Sequence, residues 1–102
     1  MKRVRKEDVE NLIRDIAEWN AIQLSEKYTG DKKISSVVTS VSVTTRIYIE
    51  PDYYSKIIFD SFVREIEKAT FGNLKRLYSK YEKKERYDIV VLYFANNYEV
   101  EN

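Results

Sequence analysis

A chain of 102 residues with 43% hydrophobic and 34% charged side chains has enough apolar material for one domain and too much to stay disordered. Its 18 basic and 17 acidic residues leave a formal net charge of +1, so no overall field steers it toward a polyanion. Cysteine and histidine are both absent, which removes disulfides, thiolate nucleophiles, Cys/His zinc sites and every mechanism built on a histidine base.

The four cations Lys2, Arg3, Arg5 and Lys6 read as a solvated terminus, without the apolar stretch of a secretory signal. Val9, Leu12, Ile13, Ile16, Leu24 and Tyr28 then recur at spacings of three and four, interrupted by Asn20. This predicts a helical block over residues 7–28, capped by Asp8 and ended by Gly30 as the left-handed residue. From Ile34 to Ile49 the period changes to two. Val37, Val41, Val43, Ile47 and Ile49 share one parity, and most of the other parity is polar. Either two strands meet near Thr39–Val41, or one long strand bends. The only charge in this block is Arg46, so the block should be internal to a sheet or paired with a partner strand.

Pro51, with Glu50 or Asp52 as cap, predicts the start of a second helical block over residues 52–81. Ile58, Phe62 and Ile66 carry its first stripe. Leu74, Leu77, Tyr78 and Tyr81 carry a second, beyond Gly72–Asn73, as two helices or one kinked helix. Tyr87 to Ala95 is nearly continuous, β-prone and apolar, as in a central strand. Asn96–Asn97 suits a tight turn into Tyr98–Val100. No apolar run is long enough to span a bilayer.

The order is therefore helix, two strands, helix, two strands. The expected fold is a single α+β domain of two αββ-like halves, residues 7–50 and 51–102, with an antiparallel sheet and helices packed on one face. A shift of 53 residues superimposes Asn20 on Asn73, Leu24 on Leu77 and Tyr28 on Tyr81. Internal duplication and shared periodicity both account for these matches.

The glycines Gly30 and Gly72 form no phosphate loop, and a carboxylate pair such as Asp15/Glu18 fits a solvated helix face. No enzymatic activity, metal or cofactor is expected. Nine tyrosines and one tryptophan point instead to binding. The leading site is a groove where the halves meet, with Trp19, Arg46, Tyr48, Tyr53 and Tyr54 receiving a protein or peptide, or a second copy in a homodimer. The alternative is nucleic acid on the basic stretch, through Lys75, Arg76, Tyr78, Lys80, Lys83, Lys84 and Arg86. Tyr28, Tyr81 and Tyr93 are expected in the core.

The short, Lys/Glu/Tyr-rich chain without Cys or His, with runs such as KYEKKERYDIVVLYFANN, resembles the orphan proteins of filamentous viruses that infect hyperthermophilic archaea. The resemblance implies a hot host, a place in the infected cell's cytoplasm or in the virion, and action by binding. It carries no motif and transfers no functional residue.

Overall fold

The computed structural model describes residues 3–28, 33–97 and 99–100. Among them the chain forms β1 (Arg3–Val4), α1 (Lys6–Trp19), β2 (Ile34–Val38), β3 (Ser42–Ile49), α2 (Lys56–Ala69), β4 (Leu74–Lys83), β5 (Asp88–Asn96) and β6 (Glu99–Val100). Strands β2, β3, β5 and β4 lie in that order in one antiparallel sheet, and β1 pairs with β6 in parallel. The helices lie side by side on one face, α1 against β2 and α2 against β4. The fold is thus α+β, with the order αββαββ between β1 and β6; β6 pairs with β1 rather than turning back on β5 as expected.

The core forms where the helix stripes meet one parity of the strands. Ile13, Phe62 and Ile66 from the helices pack against Ile47, Leu92 and Phe94 from the central strands, all fully buried. Ser36 and Thr45 point the same way and satisfy each other, their hydroxyls 2.9 Å apart. β2 and β3 do meet at Thr39–Val41, where the Thr39 side chain accepts from the Ser42 backbone N–H at 3.0 Å.

The second helical block is half the expected length. Residues 74–83 form strand β4, and α2 ends at Ala69. A bulge at Leu77 explains why this strand mimics a helix in sequence. Arg76 pairs with Phe94 and Tyr78 with Tyr93, so one extra residue breaks the two-residue period. Leu74, Leu77, Tyr78 and Tyr81 consequently fall three and four apart. The caps also differ from expectation. Arg5 precedes α1 without a side-chain cap, and Ser55, not Glu50 or Asp52, caps α2. Pro51 and Asp52 form a turn outside the helix, and the Asp52 N–H donates to the Asp88 carboxylate.

Helix α1 ends at Trp19 without a glycine; the predicted terminator Gly30 lies outside the described residues, as do Lys2 and Tyr98. Ala21 takes the left-handed conformation at φ 54°, while the Ala21 and Ile22 N–H groups donate to Glu18 and Ala17. Phe71, at φ 53°, does the same for α2, with bonds from Phe71 and Gly72 to Lys68 and Glu67. The pattern continues into the sheet. Glu50 N–H donates to Gln23 as Asn97 N–H donates to Asn73. The backbone repeat therefore places Asn20 over Thr70 and Leu24 over Leu74. The shift of 53 that maximises sequence identity is not the structural one.

Leu24 bridges to Ile49, and Ile34 of β2 lies opposite Ile47. Tyr28, beyond the Leu24 bridge, lies off α1. β2 is an edge of the sheet rather than internal to it. A glutamate from the overlying helix covers it, the Glu10 carboxylate accepting from the Ser36 N–H at 2.9 Å. Glu67 does the same for Arg76 on the opposite edge, at 3.4 Å.

Three substitutions test this packing by urea denaturation. Phe62→Ala should cost about 3–5 kcal/mol, because it empties a fully buried site. Phe71→Ala, at a ring 92% exposed, should change stability by less than about 0.5 kcal/mol. Ala21→Gly should stabilise by roughly 0.5–1 kcal/mol by relieving the left-handed alanine.

Candidate functional site

Among the described residues, helices cover only one face of the sheet. The other carries the opposite parity of all four strands, and the strand register fixes its rows. Val37, Thr44, Tyr93 and Tyr78 form one row; Ser35, Arg46, Val91 and Lys80 form the next. Tyr48, Ile89 and Glu82 form the third. Adjacent rows on one face stand about 7 Å apart, and neighbouring strands about 4.8 Å.

Two groups of rings stand on this face. Tyr78 stacks on Tyr93 with centroids 4.2 Å apart and planes 20° apart. Tyr78 remains 55% exposed, so its outer surface is open. On the other side of the Arg46 row, Tyr28 stacks on Tyr48 at 3.7 Å, and Tyr87 meets both edge-on. Tyr48 is nearly buried there, together with Ile89 and Val91. Burial first, and then the Tyr28 phenol, push the Tyr48 phenol up to about 12. The cations Arg46 and Lys80 occupy the row between the two ring groups, and Lys75 lies beyond the first, opposite Ala95.

Charge is sorted between the layers. The helices carry eight acidic and five basic side chains, whereas strands β2 to β5 carry five basic and two acidic. On the open face, Glu82 is the one carboxylate contributed by those four strands. It pairs with Lys80 at 3.0 Å and Lys84 at 3.4 Å. The Lys80 hydrogen bond, ahead of that from Lys84, holds the Glu82 carboxyl below its ordinary range, and Glu82 raises Lys80 in return. Arg46 has no ion-pair partner among the described residues.

The five residues expected in a partner groove are not brought together. Arg46 and Tyr48 are neighbours on the open face, but Tyr48 is covered by Tyr28. Tyr54 packs against the core on the helix side, stacked on Tyr81 at 4.1 Å. Tyr53 is exposed beside the Pro51 turn, and Trp19 stands at the end of α1. The basic stretch is divided in the same way. Lys75, Tyr78 and Lys80 face outward with Lys84 alongside, whereas Arg76 binds Asp60 of α2 at 2.7 Å and Lys83 binds Asp52 at 3.0 Å. Arg86 is exposed in the β4–β5 turn.

Tyr28, Tyr81 and Tyr93, expected in the core, are only partly covered. Tyr28, Tyr87 and Tyr93 thereby join the open face, a role that sequence reasoning missed for Tyr28 and Tyr93. Strand parity could have placed Tyr93 beside Tyr78 only once β4 was known to be a strand. Among the described residues no three carboxylates gather as a metal cage, and no helix is long and apolar enough to cross a membrane. Comparison with protein-family models, with curated proteins and with solved structures finds no match.

The raised Tyr48 phenol makes a testable contribution to alkaline stability. It keeps its proton more tightly when folded than when unfolded, so its stabilisation is complete below about pH 10 and is lost as pH rises from there toward about 12. Burial, and then the hydrogen bond to Asp88, raise the Tyr81 phenol as well, so ultraviolet titration alongside urea melts should show more than one late-ionising phenol and falling stability across that window. Tyr48→Phe should remove its own late transition and its share of the stability loss, leaving that of Tyr81.

Proposed function

We propose that this protein binds single-stranded nucleic acid on the open face of its sheet, without catalysis. The observation that carries the reading is the Tyr78–Tyr93 stack beside the Arg46 and Lys80 row. Rings accept bases by stacking and cations neutralise the phosphates between them. The rows suit that division of labour. A strand drawn along β5 would set one base on Tyr78–Tyr93, a phosphate over Arg46 and Lys80, and the next base against the Tyr28–Tyr48–Tyr87 group. Those ring groups lie about 14 Å apart, a spacing that suits splayed bases. Four-stranded sheets with exposed aromatics are a general solution for unpaired bases, whose ring faces a duplex keeps stacked inside.

The reading differs from one built on the basic stretch as a linear motif. Arg76 and Lys83 are held by Asp60 and Asp52 and contribute little, whereas Arg46, remote in sequence, is set level with Lys80 by the strand register.

The test is a titration with single-stranded and duplex oligonucleotides at two salt concentrations. Binding to the single strand should be tighter and should weaken steeply with salt. Tyr78→Ala should cost about 1–3 kcal/mol, the worth of one stacked base. Arg46→Ala should weaken binding and flatten the salt dependence, while Arg76→Ala should do neither. Glu82→Gln should tighten binding at low salt, because it removes a like charge and releases Lys80 and Lys84. Absence of binding at low salt, or equal losses at Arg76 and Arg46, would overturn the reading.

A further inference from the structure

The helix layer carries a second feature that nucleic-acid binding does not use. A cleft of about 460 Å³ lies between α1 and α2, lined by Asp15, Ile16, Trp19, Asn20, Ser61 and Glu65. Trp19 is the only tryptophan in the chain and is 90% exposed, an uncommon position for so large an apolar ring. Ile16 packs against the core, so the cleft also has an apolar wall.

Its charge is one-sided. Asp15 and Glu65 have no ion-pair partner among the described residues. The nearby cation Arg14 donates to Asn11 at 3.1 Å. The end of α1 adds to this polarity. A helix C-terminus carries partial negative charge and is ordinarily met by cations. The last turn of α1 holds no basic residue and includes Glu18, whereas that of α2 holds Lys68. The cleft thus combines an open indole, two carboxylates outside any ion pair and a helix end whose last turn holds no cation.

We infer that this cleft docks an arginine side chain carried on a partner polypeptide. A guanidinium is planar, so it stacks on an indole while its edge donates to carboxylates. Its methylene stem suits the Ile16 wall. The charge complementarity selects a cationic occupant, and the ring selects a planar one over the compact ammonium of lysine. The inference does not rest on the nucleic-acid reading, since the site lies on the opposite layer.

Trp19 is its own reporter. The full chain is titrated with a short arginine-containing peptide and with the same peptide carrying neutral citrulline, and indole fluorescence is followed. The arginine peptide should give a saturable change that the citrulline peptide does not. Asp15→Asn combined with Glu65→Gln should weaken binding about tenfold or more, the scale expected when a charge pair is cut. Glu7→Gln, which removes one negative charge in the first turn of α1 and away from the cleft, should leave affinity within about twofold. Circular dichroism confirms that each variant is folded, and calorimetry follows Trp19→Ala, which should bind more weakly than Trp19→Phe. Equal binding of the citrulline peptide, or unchanged affinity in the double variant, would overturn the inference. So would an indole change that tracks the protein's own concentration without peptide, because a second copy would then fill the cleft.

Discussion

The pairing of β3 with β5 is the interaction on which the rest of the molecule depends. It runs from Ser42–Ala95 to Ile49–Asp88 and joins the two αββ units through their most buried strands. Each unit alone would be a helix on a two-stranded hairpin, too little to be stable by itself. Joined, they make a four-stranded sheet with an apolar face broad enough for two helices. Each helix has 14 residues and so spans about 21 Å. Two such helices cover one face and leave none for the other.

That one-sided cover determines the character of the exposed face. It is too apolar at its centre to be left bare, with Ile89 and Val91 on the central strand. The chain just beyond Leu24 answers part of this by laying Tyr28 on Tyr48. The rest stays open, with rings on β4 and β5 and cations in the intervening row. A nearly neutral chain thereby acquires a basic sheet and an acidic helix layer. Net charge describes the sum, while binding responds to the local field.

The sheet edges show how the same helices protect what they do not bury. Glu10 and Glu67 each reach from a helix to an outward N–H of an edge strand. At the β4 edge the Leu77 bulge adds a local twist, and Lys75, Lys80 and Lys83 add charge. The bareness of β2, which has no charge of its own, is resolved by a side chain 26 residues earlier.

Periodicity determined the helix-and-two-strands order of the first half, the hairpin break at Thr39–Val41 and the central place of Tyr87–Ala95, because these depend on local alternation and on apolar runs. It misread β4, because a bulge at Leu77 turned a strand's period into a helix's, and it missed the end of α1, because Ala21 takes a conformation usually left to glycine. Residue types also pointed to tyrosines and cations as candidate binding groups. Which of them share a surface was decided only in three dimensions. Strand register sets Arg46 level with Lys80, and the bulge decides that Tyr78 faces outward while Tyr81 faces α2. Register is a property of pairing between distant segments, and no single stretch of the chain contains it.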